Sequence, residues 1–114
     1  MKIDISTHPE FERQFKRLAK RYHSLIDDFA NLLDSLRKAP FQGNDLGGHL
    51  HKVRLGIDSK GGGKRGGLRV ITYTIVQTAE DTLEITLVYI YDKSEVSSVS
   101  PQFLRWLLAQ EPTK

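Results

Sequence analysis

The sequence predicts one α+β domain: two N-terminal helices packed on a mainly antiparallel sheet, closed by a short C-terminal helix. Three observations predict it. Between Phe11 and Leu36 the apolar residues recur at helical spacing, three and four apart. Between Leu50 and Tyr91 they alternate, or run in β-branched and aromatic blocks, as strands do. With 114 residues the chain can fill one core but not two, so residues 1–114 form a single domain.

Each element has its own signal. Lys2 to Ile5 alternates polar and apolar residues and predicts a first strand. Thr7, with Pro9 and then Glu10 after it, has the pattern of a helix N-cap with a capping box. The helix that follows gathers Phe11, Phe15, Leu18 and Tyr22 on one face and leaves Arg13, Lys16, Arg17, Lys20 and Arg21 mainly on the others, a solvated face. After His23 and Ser24 a second helix repeats the device with Leu25, Phe29, Leu32, Leu33 and Leu36, and Pro40 ends it. The two stripes need a sheet to cover them. Phe41 to Gly48 is a polar, glycine-containing connection. Leu50 to Ile57 is the second strand, Leu68 to Gln77 the third, Thr78 to Asp81 a turn, and Thr82 to Tyr91 the fourth. Ser100 and Pro101 open the last helix, which carries Phe103, Leu104, Leu107 and Leu108. The expected layering places the helices on one side of the sheet.

Composition narrows the function. At 39% hydrophobic and 27% charged residues, the chain has the makeup of a soluble globular protein. It has no cysteine, which excludes a disulfide framework, a thiolate nucleophile and cysteine-ligated zinc, and fits a reducing cytosol. Met1 to Ile5 lacks the apolar core of a signal peptide. The longest apolar stretch, Leu83 to Tyr91, is interrupted by Glu84 and Thr86 and is too short to span a bilayer. A cytoplasmic protein with no membrane partner is expected. No cofactor or metal is expected either. Gly61-Gly62-Gly63-Lys64-Arg65-Gly66 matches G-x-G-x-x-G, but a strand follows where the dinucleotide fingerprint requires a helix. The Walker pattern fails because Asp58 stands where its first glycine belongs and Arg65 follows Lys64. His8, His23, His49 and His51 show no ligand spacing beyond His49-x-His51.

What remains is the stretch from Lys52 to Arg69. Six cations (Lys52, Arg54, Lys60, Lys64, Arg65 and Arg69) face one acid, Asp58, so this stretch carries +5 in a chain whose net charge is +3. All nine glycines lie between Gly43 and Gly67. Glycine allows close backbone approach at a cost in entropy, and that cost is concentrated here. Taken alone, such a loop is also compatible with a flexible hairpin tip. Held between two strands, it is suited to an anion with several oxygens, and a nucleic-acid backbone fits best.

If the last two strands turn near Glu80, Arg69 faces Tyr91, Ile71 faces Tyr89 and Tyr73 faces Leu87, all on one surface. Lys93 lies just beyond. If the neighbouring strand presents Lys52 and Arg54 to the same surface, arginines, lysines and tyrosines gather around one concavity. Arg69 stands where the loop ends, at the exposed end of its strand. This collection suits phosphate chemistry on RNA. Arginine can fork two hydrogen bonds onto a phosphate. A lysine or tyrosine among cations is expected to have a lowered pKa and to carry protons near neutrality. A tyrosine ring can stack on a base, and the RNA brings its own nucleophile in the 2′-hydroxyl.

Lys52-Val53-Arg54, Gly63-Lys64-Arg65-Gly66-Gly67, Arg69-Val70-Ile71 with Tyr73, and Ile90-Tyr91-Asp92-Lys93-Ser94-Glu95 resemble, in this order, the RelE/ParE toxin superfamily, and its HigB-like branch in particular. The resemblance runs over almost the whole chain. It implies a compact microbial-ribonuclease-like fold, and a type II toxin that cleaves messenger RNA in the ribosomal A site and is neutralised by a cognate antitoxin. Its expected partners are therefore that antitoxin, the ribosome and mRNA. The resemblance also implies site residues. Arg54 and Arg69 match positions that contact or stabilise phosphate, and Lys60, Lys64 and Arg65 match the basic loop. Tyr91 and Lys93 match the strand end where protons and substrate are handled. The expected catalytic set is thus Arg69, Arg54, Tyr91 and Lys93, with Lys52, Lys60, Lys64, Arg65 and Tyr89 binding RNA. Two alternatives stay open: a ParE-type toxin directed at gyrase, and an RNA-binding domain that cuts nothing.

Overall fold

In the computed structural model, which describes residues 1–60 and 67–110, the alternating start of the chain forms strand β1 (Lys2–Thr7). Helices α1 (Pro9–Arg21) and α2 (Leu25–Lys38) follow. Next come β2 (Asn44–Gly47), β3 (Leu50–Leu55), β4 (Leu68–Gln77), β5 (Thr82–Asp92) and helix α3 (Pro101–Ala109). The architecture is α+β, as expected. The five strands lie in the order β1-β5-β4-β3-β2. All neighbours are antiparallel except β1 and β5, which run parallel from Lys2↔Thr82 to Thr7↔Leu87. A parallel pair needs a long crossover, and everything between the two strands supplies it. β5 thereby becomes an interior strand, and most of its residues are buried.

The sheet is apolar on both faces, and this corrects the expected layering. α1 and α2 cover one face, where Phe11, Leu18, Leu25 and Leu36 pack with Val53, Val70, Ile85 and Ile90. α3 covers the other, setting Leu104 and Leu107 on Leu50, Ile71, Val88 and Tyr91. A one-sided arrangement would leave Ile71 and Val88 in water, at about 1.5–3 kcal/mol for each large side chain left unburied. The phenylalanines join the first two helices: the Phe29 ring lies 5.7 Å from Phe11 and 5.0 Å from Phe15.

Three local expectations change. The cap of α1 is His8, not Thr7: the His8 Nδ1 accepts the Glu10 amide at 3.0 Å, while the Thr7 hydroxyl donates to Glu12. The predicted connection Phe41–Gly48 contains the edge strand β2, too short and too polar to show a period of two. Gly43 makes that strand possible. Its φ is +98°, and a Cβ there would lie 2.5 Å from the Lys52 carbonyl oxygen. Finally, β5 carries a bulge. Ile71 faces Tyr89, but the next pair is Thr72↔Leu87, so Val88 is extra and Tyr73 faces Thr86 rather than Leu87. Leu87 turns to the helix-paired face, and Val88 joins Tyr89 beneath α3.

Candidate functional site

Register brings the predicted residues into two rows. Arg54 is opposite Arg69, and Arg69 is opposite Tyr91. One step along, Lys52 is opposite Ile71, and Ile71 is opposite Tyr89. Directly opposed residues project to the same face, so Lys52 and Arg54 do share the surface of Arg69 and Tyr91. Both rows lie at the end of the sheet where β3 leaves for, and β4 returns from, residues 61–66. Lys64 and Arg65 lie outside the described residues, as does the side chain of Lys60.

Exposure divides the set. Arg54 and Lys93 are exposed, and Lys52 and Tyr89 are half-buried. Arg69 and Tyr91 are only 4% and 3% exposed, which corrects the expectation that Arg69 sits at an exposed strand end. The reason is that β4 lies between β3 and β5 along its full site end, and both faces of the sheet are covered. One Arg69 donor, Nη1, reaches the Leu68 carbonyl at 3.2 Å. The Tyr91 ring lies 6.2 Å from Tyr89, whose own ring meets Phe103 of α3 edge-on at 5.2 Å.

Burial also reverses the expected titration of the tyrosines. It pushes the Tyr91 hydroxyl above the usual tyrosine range, and the Arg69 charge only partly opposes this. Tyr89 is raised too, by burial first and the Glu10 carboxylate second, against Arg13 and Arg17. Both phenols therefore hold their protons at neutral pH. They suit hydrogen-bond donation or general-acid work, not proton abstraction.

The structure adds Asp92, which the sequence shows only as one member of the Ile90 to Glu95 motif. Asp92 is wholly buried, and the Tyr22 hydroxyl at the end of α1 donates to its carboxylate. The Ser94 amide and hydroxyl donate to its other oxygen at 2.9 and 2.7 Å. Glu95 then pairs with Arg17 at 3.0 Å and Arg21 at 2.7 Å. The turn that carries Lys93 is thus tied to α1. The available signals were an Asp with Ser two residues on, an Asx-turn pattern, and two arginines one helical turn apart.

The two flanks of residues 61–66 are also held. The Asp28 carboxylate accepts from the Ser24 hydroxyl at 2.7 Å and the Asp58 amide at 3.2 Å, and the Ser59 amide donates to Ser24 at 2.9 Å. At the other flank a Cβ on Gly67 would stand 2.1 Å from the Leu55 carbonyl oxygen. Glycine is needed there for strand approach, whatever the loop binds. Among the described residues no three His, Asp or Glu side chains converge as a metal site, and no helix is long and apolar enough to cross a membrane.

Compared with known proteins, the chain matches no protein-family model and, at a significant level, no curated sequence. The family resemblance therefore rests on the motif residues alone.

Proposed function

We propose that this protein is an endoribonuclease of the RelE/ParE type, nearest the HigB-like toxins, and that it cleaves ribosome-bound mRNA until a cognate antitoxin neutralises it. One observation carries the reading: Arg54, Arg69 and Tyr91 form a single cross-strand row beside the basic stretch. In the working mechanism the RNA 2′-oxygen attacks the adjacent phosphorus and the bond to the 5′-oxygen breaks, leaving a 2′,3′-cyclic phosphate and a 5′-hydroxyl. Exposed Arg54 meets the phosphate, and Arg69 presents its forked guanidinium donors to it from beneath. Tyr91, protonated at neutral pH, fits the acid that gives its proton to the departing 5′-oxygen. Lys93, in the turn fixed by Asp92, adds positive charge at the strand end, and the 2′ proton leaves to water.

The burial of Arg69 and Tyr91 favours a second reading. A ParE-type toxin directed at gyrase binds a protein surface and needs no reacting tyrosine. Inducing the protein without its partner separates the two. Loss of translated transcripts with intact DNA supports the nuclease. Double-strand breaks with transcripts unharmed support the gyrase reading.

A further inference from the structure

β2 pairs with β3 only as far as Asn44↔Lys52, so among the described residues the outer edge of β3 from Val53 to Leu55 has no strand beside it. A cleft of about 380 Å³ opens there, between that edge and α2. This falls within the roughly 300–1,000 Å³ of small-molecule sites. Asn31 and Ser35, one helical turn apart, line it from α2, and Gln42, Arg54 and Asp58 complete the polar rim. Arg54 therefore belongs both to this cleft and to the row with Arg69 and Tyr91.

The lining selects its ligand. Two carboxylates, Asp28 and Asp58, border the cleft and repel a phosphate from its interior. The Gln42 amide nitrogen is committed to the Ser35 hydroxyl at 2.8 Å and the Ala39 carbonyl at 3.1 Å, which leaves Oε1 to accept. Gln42 Oε1 and the Asp58 carboxylate are acceptors for an exocyclic amino group, and the Asn31 side-chain amide is a donor for a ring nitrogen or carbonyl. A flat heterocycle with amino and acceptor edges satisfies all three.

We propose that this cleft is a nucleobase subsite, taking the amino-bearing bases adenine, guanine and cytosine in preference to uracil, with Arg54 holding the attached phosphate at its mouth. The proposal deepens the ribonuclease reading and rests on it, since the cleft would set which nucleotide lies beside the cleaved bond.

Binding separates the two ideas without any need for cleavage. Backbone amide signals of the full chain are followed by NMR during titration with inorganic phosphate, AMP, GMP, CMP and UMP. Phosphate alone should shift the signals of Arg54 and Arg69. AMP, GMP and CMP should in addition shift Asn31 and Ser35, and bind roughly five- to tenfold tighter than UMP. Asn31→Leu, a change at an exposed position that fills the cleft, should abolish the preference and keep the phosphate shifts. Gln42→Met should weaken the preference by removing the acceptor. Equal affinities, with shifts confined to Arg54 and Arg69, would overturn the base subsite and leave the phosphate row standing. No shift from any ligand, phosphate included, would remove the phosphate row as well.

Discussion

Arg54 and Arg69 stand directly opposite each other across the β3–β4 ladder. Like charges at opposed positions cost a sheet roughly 0.2–1 kcal/mol. A shared anion removes that cost, so the pair is expected to behave as an anion sensor. Phosphate should raise the melting temperature. Ligand at tenfold excess over its Kd adds about 1.4 kcal/mol. Arg54→Gln should lose most of this gain without losing stability in its absence. Thermal melts at several phosphate concentrations measure it; an unchanged gain in the variant would show that the anion binds elsewhere.

Arg69 is the more demanding position because it is buried. Arg69→Ala should lower cleavage about a hundredfold, as for loss of one preorganised donor worth about 3 kcal/mol. It should also destabilise the fold by about 1–3 kcal/mol, the usual cost of disturbing a buried polar side chain. Arg69→Lys keeps the charge but not the fork and should also lose most activity. Assays below the melting point of each variant separate the two effects. Normal cleavage by folded Arg69→Lys would take the fork out of the mechanism.

The raised Tyr91 pKa has a definite sign in stability. The folded state holds the phenol proton more tightly than the unfolded state, whose pKa is about 10. Its contribution is therefore complete below about pH 10 and is lost as pH rises through the folded value. Tyr91→Phe should flatten the alkaline fall in stability, measured by denaturant melts from pH 8 to 11. The same variant should slow cleavage, since it has no proton to give. A fall just as steep in the variant would assign the alkaline sensitivity to other groups.

His8 is bonded at both ring nitrogens, to the Glu10 amide and, at 3.0 Å, to the Leu107 carbonyl at the far end of the chain. His8→Ala should cost the roughly 0.5–2 kcal/mol of a lost N-cap and loosen α3 as well. Thr7→Ala should cost less. Melting temperatures of the two variants, with Trp106 fluorescence reporting on α3, check the assignment. A larger loss from Thr7→Ala would return the cap to Thr7.

Much of the scaffold was legible because periodicity is local. The helical stripes through Phe11 and Leu25 and the β-branched run of β4 each predict their own element. The Arg69–Tyr91 and Ile71–Tyr89 pairs followed from a hairpin with a short turn. What failed depended on distant partners. β2 exists because Gly43 can approach Lys52, and no pattern inside Asn44–Gly47 says so. The bulge at Val88 is set by which face each residue must fill, so Leu87 was paired wrongly. The burial of Tyr91 and Tyr89, which raises their pKa values, comes from α3 closing the second face, and a short helix does not announce which face it takes.

The parallel pairing of β1 with β5 also has a consequence in time. Lys2 must wait for Thr82, eighty positions later, before it has a neighbour. At about 5–20 residues per second of synthesis, that wait lasts roughly 4–16 seconds. Meanwhile the greasy stripes of α1 and α2 have no sheet to cover, which leaves them open to chaperones and to one another. Non-local pairing of this kind also slows folding once the chain is complete. Tyr91 is made later still, so the row it shares with Arg54 and Arg69 cannot assemble on an unfinished chain.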